Sequence, residues 1–179
     1  CASRRVHSVE TLQKATLRIM EEHFAAADRE TVAALATRAL LEEVCITPKP
    51  GLVDRANNGS HRDMDLFTFL ASAAALAPYW SRCVQIGQDT AKGTPSDTFQ
   101  SLKQAGQGAE RTMFAATGGV NTHKGAIFTL GTICGAVGRL WRADNPCRDP
   151  KAILAECSAM ATAAVEADFA GLSDETAHT

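Results

Sequence analysis

Apolar residues recur at helical spacing from Asp28 onward. In ETVAALATRALLEEVC, positions Val32, Leu35, Ala36, Ala39, Leu40 and Val44 lie on one face. Asp28 stands where an N-cap belongs, while Pro48 and Pro50 remove backbone donors and disfavour helix in the residues before them. The pattern therefore predicts a helix that stops near Ile46. A polar stretch to Asp65 follows, and apolar periodicity resumes from Leu66 to Gln88, with Pro78 expected to kink or interrupt that rod. Thr94-Pro95-Ser96-Asp97 reads as a break and a fresh start for a helix to about Ala116, whose stripe of Phe99, Leu102 and Ala105 is expected to face the core. Ala126 to Arg142 is glycine-rich and apolar on most sides, which predicts a central helix with close neighbours. A loop at 144–150 leads to a last helix from Lys151 to Ala170, and before Asp28 a further helix is predicted with Ser8 as its cap. No alternating strand pattern, internal repeat or low-complexity tract interrupts this series. The expected fold is all-α, a multi-helix bundle with two long functional loops converging at one end and no significant sheet.

Composition narrows the picture. A chain of 179 residues with 45% hydrophobic content suits a sizeable core, and 6% aromatic content favours close-packed helices over a sandwich. The net charge of −2 gives no reason to expect nucleic acid or an anionic membrane as partner. No apolar run approaches the roughly 18 to 20 residues of a membrane span, and no signal peptide opens the sequence, so a cytoplasmic location is expected. The six cysteines form no C-x-x-C pair, which argues against a zinc knuckle or redox motif and for reduced thiols acting as small hydrophobes.

Candidate chemistry gathers in two polar stretches. The first, EVCITPKPGLVDRANNGSHRDMD at 43–65, holds Lys49, Asp54, Arg55, His61, Arg62, Asp63 and Asp65, more ionisable groups than a connection requires. Just before it, Glu42 and Glu43 close a helix whose dipole they oppose, so either both face solvent or one meets a cation. The second, TGGVNTHKG at 117–125, sets glycines around Asn121, His123 and Lys124 at the start of a helix, where free amides and the dipole favour an anion. It is not a Walker A loop, and no G-x-G-x-x-G occurs. The residues alone reach an anion or nucleotide site of no named type.

TPKPGLVDRANNGSHRDMD at 47–65 and TGGVNTHKGAIFTLG at 117–131, together with the GxGAERTMF pattern between them, resemble the triphosphoribosyl-dephospho-CoA synthase family. That family makes the prosthetic-group precursor of citrate lyase, with a close branch serving malonate decarboxylase. The resemblance covers roughly residues 30 to 170. Residues 1–28 carry C-x-S-R-R-x-H-S, similar to the tail of the phosphoribosyl-dephospho-CoA transferase that is fused to the synthase in some organisms. We therefore expect 1–28 to be the tail of a transferase-like domain or a linker helix, with Cys1, Arg4, Arg5 and His7 belonging to that neighbouring activity. Residues 29–179 are expected to be the N-terminal part of the synthase domain, because the family's later glycine-arginine-glycine-glutamate and aspartate-asparagine motifs do not occur here, leaving part of the active site outside this sequence.

The resemblance implies transfer of the triphosphoribosyl unit of ATP to a ribose hydroxyl of 3′-dephospho-CoA, with adenine released. Its functional link is then to the acyl carrier protein of citrate lyase; the oligomeric state is not readable. Substitution at C1′ passes through an oxocarbenium-like state, so a carboxylate is needed near C1′ and as proton acceptor. Glu43, the one of the pair that lies in the family motif, and Asp63 are the candidates, with Asp54 behind them. His61 and His123 either protonate the departing adenine or orient the sugar, or are structural histidines hydrogen-bonded in a loop. Lys49, Arg55 and Lys124, with the glycine cradle at Gly118 and Gly119, are expected to hold phosphates. Asn57 and Asn121 either read ribose hydroxyls or form turns. Mg2+ is expected with the triphosphate, with Asp63 and then Asp65 as ligands. Two other classes fit the same residues: a non-catalytic helical nucleotide- or CoA-binding module, and a Mg-dependent nucleotide hydrolase.

Overall fold

The computed structural model describes residues 28–143 and 145–162. Expectations for residues 1–27, including the Ser8 cap, and for 163–179 lie outside these. Four helices have defined ends: α1 Arg29–Cys45, α2 Leu66–Asp89, α3 Pro95–Ala116 and α4 Lys124–Arg139. A further helical stretch, α5, occupies residues 150–162. Among the described residues, β-pairing is confined to one isolated bridge between Arg142 and Asn145, so the all-α expectation holds.

Helix ends form where local chemistry can satisfy them. Asp28 Oδ1 accepts from the Thr31 amide at 2.8 Å and its hydroxyl at 2.9 Å. Asp65 with Thr68, and Thr94 with Asp97, form reciprocal capping boxes at the starts of α2 and α3. Of the kink or interruption expected at Pro78, the interruption does not occur, and α2 runs through it. Pro78 and Ala74, whose carbonyl loses its donor, are both exposed, so water can hydrate the freed acceptor while the buried face of the helix carries its stability. The fourth helix runs from Lys124 to Arg139, two residues earlier at its start and three shorter at its end than the predicted span to Arg142.

Helix α2 is central and lies against α1, α3 and α4. Trp80, Leu76, Cys83 and Val84 of α2, Met113 of α3 and Met160 of α5 are completely buried. Helix α4 approaches α2 through its backbone. A β-carbon at Gly138 would fall on the Val84 carbonyl oxygen, and one at Gly135 would lie 2.5 Å from Leu102 Cδ1. Cys83 and Cys134 are buried free thiols; burial pushes the Cys83 thiol up to about 12 and Cys134 up as well, fitting small hydrophobes rather than reactive groups.

Contacts fix the directions of the helices. Ser72 meets His123 near the starts of α2 and α4, and Thr90 meets Arg139 near their ends, so these two run parallel. Thr90 meets Thr98 at the start of α3, and Ser81 bonds Glu30 at the start of α1, so α1 and α3 run against them. Both polar motif segments therefore lie at one end of the bundle.

Candidate active site

The first motif forms a loop organised around Asp54. This carboxylate is 2% exposed. It accepts from Thr47 Oγ1 at 2.7 Å, the Lys49 amide at 3.1 Å, and the Ala56 and Asn57 amides at 2.8 and 3.0 Å. All these partners belong to its own loop, and together they hold the carboxyl well below the usual carboxylate range, with the Thr47 hydroxyl the largest cause. Asp54 is thus a loop anchor, which removes it as a proton acceptor. Gly59 closes the loop at φ +58°, where a β-carbon would lie 2.5 Å from the backbone of Gly51 and Leu52. Asn57 Oδ1 accepts from the Gly59 amide at 2.8 Å, the turn-forming use of asparagine.

The anchored loop presents Lys49 to Glu43 of α1, Nζ to Oε1 at 2.8 Å, with the lysine side chain largely covered and the glutamate half exposed. The lysine supplies the cation that the Glu42–Glu43 pair called for, whereas Glu42 pairs with Arg38 on the exposed helix face at 2.6 Å. Further along the loop, His61 Nδ1 lies 3.8 Å from Asp63 Oδ1, both with open surface, and Arg55 is exposed. Asp65 Oδ1 is occupied by the Thr68 amide and hydroxyl at 2.9 and 2.8 Å.

The second motif begins as the end of α3. Gly118 and Gly119 adopt φ of +65° and +93°, and the Gly119 amide donates to the Phe114 carbonyl at 2.8 Å. Asn121 Oδ1 accepts from the Lys124 amide at 3.2 Å. The Gly119 and Lys124 amides are therefore engaged within the chain. The first turn of α4 still offers the amides of Gly125 and Ala126, ahead of the first intrahelical bond from Ile127 to the His123 carbonyl. Lys124 Nζ reaches Glu110 Oε2 of α3 at 3.4 Å. Beside Glu110 opens a cleft of about 540 Å³ lined by Phe99, Gly106, Ile127 and Phe128.

His123 ties the second motif to α2. Its ring is 5% exposed and packs edge-on against Phe69 with centroids 5.1 Å apart. Nδ1 lies 2.8 Å from Ser72 Oγ, which also accepts from Thr122 Oγ1 at 2.8 Å. Nε2 is buried without a hydrogen-bond partner. Burial pushes the imidazole below its usual value, and the negative charge of Glu43 works in the opposite direction. Glu43 and His123, 80 positions apart in sequence, are thus within electrostatic reach.

A model of the ATP:dephospho-CoA triphosphoribosyl transferase family matches residues 29–178. The chain belongs to that family. Among curated relatives, a Haemophilus ducreyi protein named 2-(5''-triphosphoribosyl)-3'-dephosphocoenzyme-A synthase is 45% identical over 140 residues, covering 78% of this chain and 42% of its own. A Klebsiella pneumoniae protein of the same name is 48% identical over 117 residues, 65% of this chain and 39% of its own. The chain thus spans about two-fifths of the length of these relatives. No solved structure matches it.

Within this triphosphoribosyl transferase family member, sequence reasoning missed Ser72, Thr122 and the Gly125 and Ala126 amides. Ser72 had a readable signal: a lone hydroxyl on the buried face of an apolar helix needs a partner. Free amides at this helix start were readable, but that those of Gly125 and Ala126 are the ones left was not, because sequence cannot say which donors a helix end retains.

Proposed function

We propose that the protein of which this chain is part transfers the triphosphoribosyl group of ATP to 3′-dephospho-CoA. The bond from C1′ to adenine breaks with its electron pair leaving on the base. A new bond forms from C1′ to the acceptor hydroxyl oxygen; that hydroxyl's proton passes to a carboxylate and is returned through solvent to the departing base, which leaves as neutral adenine. Family membership supports the reaction. The observation that carries its location is that the Glu43–Lys49 pair and the buried His123, which lies within the electrostatic reach of Glu43, stand at one end of the bundle, with the first turn of α4 following His123.

Each group has a job in this scheme. Glu43 or Asp63 accepts the proton and opposes the positive charge that grows at C1′. Lys49, Lys124 and Arg55 hold phosphate oxygens, and a ligand phosphate would exchange the lysines' present carboxylate partners for its own charge. The amides of Gly125 and Ala126, with Gly118 beside the turn, form the neutral part of the cradle. Asn57 and Asn121 keep the two loops in shape.

Mg2+ suits the donor set only as an ion carried mainly by phosphate and water. Asp63 offers an exposed carboxylate and Asp65 one oxygen beyond its cap bonds, while no three His, Cys, Asp or Glu side chains cluster among the described residues. Such an ion would neutralise triphosphate charge. No described helix is long and apolar enough to cross a membrane; a cytoplasmic site of action is part of this proposal. The product would be the prosthetic-group precursor for the acyl carrier protein of citrate lyase or its malonate decarboxylase counterpart.

The test incubates the full-length protein with ATP, with and without dephospho-CoA, and follows adenine and phosphate. Adenine released only when the acceptor is present is the expected result. Phosphate release would point to a hydrolase, and binding without turnover to a non-catalytic module.

A further inference from the structure

His123 and His61 are the histidines of the described site, and His123 is the buried one. Its surroundings decide which nitrogen carries hydrogen. Thr122 Oγ1 donates to Ser72 Oγ, and the same oxygen lies 2.8 Å from His123 Nδ1. Ser72 is completely buried, and a hydroxyl has one proton to give besides the lone pairs it accepts with. Suppose Nδ1 carries the hydrogen. Ser72 then accepts from both neighbours, its own proton has no other acceptor among the described residues, and the Nε2 lone pair is buried without a donor. Two polar groups are left unsatisfied. Suppose instead that Ser72 donates to Nδ1. The chain Thr122 to Ser72 to His123 then runs in one direction, and only the Nε2–H is left without a partner.

We propose that Thr122 and Ser72 are positioning residues that fix His123 as the Nε2–H tautomer, so that it meets the substrate as a hydrogen-bond donor and not as a proton acceptor. The orphaned Nε2–H is the group a ligand would satisfy. The identity of its acceptor rests on the synthase reading above: when the C1′ bond breaks, the electron pair enters adenine and enriches the base's ring nitrogens, which are acceptors of the right kind. A donor held in place before that charge develops stabilises the departing base without reorganising. The acceptor hydroxyl's proton goes elsewhere, to Glu43 or Asp63, since a nitrogen already carrying hydrogen cannot take it.

The tautomer is measured on the full chain with 15N-labelled histidine, the His123 signals being those lost in His123→Gln. A neutral ring protonated at Nε2 near neutral pH is expected, with Ser72→Ala mixing or reversing the tautomers and Ser72→Thr retaining the native one. A native ring protonated at Nδ1, or charged at that pH, overturns the proposal, and this reading needs no turnover. In the adenine-release assay, His123→Leu should lose about 100-fold, the scale for removing one preorganised donor. His123→Gln should lose clearly less, because its amide N–H stands near the place of Nε2–H. Equal losses would remove the donor role. If the unsubstituted protein releases no adenine at all, the synthase reading fails, while the nitrogen spectrum still decides the tautomer.

Discussion

The two ends of the bundle are built on opposite rules. At the end where α2 and α4 finish, the buried Arg139 guanidinium donates to the Thr90 carbonyl at 2.8 Å, the Gly93 carbonyl at 3.2 Å and Thr98 Oγ1 at 2.7 Å, and pairs with Glu156 of α5. One planar cation ties four segments together, and its fork is filled from within. At the motif end, His123 keeps an unpartnered nitrogen, two lysines rest on carboxylates that a phosphate could replace, and the space beside Gly118, Gly119 and Gly125 is empty of neighbours. Polar groups closed on each other make a joint; polar groups left open make a site.

The sharpest way to break this comparison is Arg139→Met. Removing one partner of a buried ion pair leaves Glu156 and several acceptors unmatched, at a cost of about 3–5 kcal/mol. Denaturant unfolding should show that loss, and a change below about 1 kcal/mol would mean the joint is ornamental.

Lys49→Ala should behave in the reverse sense. The Glu43–Lys49 pair is partly exposed, so stability should change by no more than about 1 kcal/mol. ATP affinity should fall about 10- to 100-fold, the worth of about 1.5–3 kcal/mol for a charge-assisted hydrogen bond. Titration calorimetry reads the second and thermal unfolding the first. Unchanged affinity would remove Lys49 from the triphosphate site.

The same substitution at two glycines of α4 then sharpens the contrast. Gly138→Ala drives a methyl into the α2 backbone and should cost about 1–3 kcal/mol, against the propensity gain that alanine normally brings. Gly125→Ala meets nothing within 4 Å and should be neutral or stabilising by up to about 1 kcal/mol. Opposite signs on one helix would show that crowding separates the ends; equal signs would refute it.

These contrasts also mark where sequence could and could not be read. Asp28 was readable as a cap and Thr94-Pro95-Ser96-Asp97 as a helix start because those bonds form within three residues; Asp65, expected only as a metal ligand, caps α2 by the same local chemistry. Whether Pro78 ends the helix was not readable, because that depends on which side of the helix faces water, a property of packing. Family motifs pointed to the right end of the molecule, but residue roles inside it depend on distant partners. Asp54 looked like one acid among several until loop donors surrounded it, and nothing in the glycine-rich apolar span of α4 marked Arg139 as a joint before α5 and the α2–α3 turn closed on it. Glu43 and Lys49 could be suspected of meeting; that Ser72 would reach His123 across 51 positions could not.

The smallest effect expected belongs to pH, and it too should separate the ends. Burial holds His123 below its ordinary value, so the folded protein keeps the ring neutral where the unfolded chain, near pH 6.5, takes up a proton. As pH falls through that unfolded value, the unfolded state binds the extra proton and stability declines. The decline levels off only below the folded value; above about pH 7 the contribution is flat. Glu43 tempers the effect, because its negative charge favours the protonated ring. Comparing Tm at about pH 8 and about pH 5, above most carboxylate titration, should show a steeper fall for the native protein than for His123→Gln, which has no imidazole to protonate. Parallel profiles would mean that the ring is not held neutral by its burial, and the open end would then lose the pre-set donor that distinguishes it from the joint at Arg139.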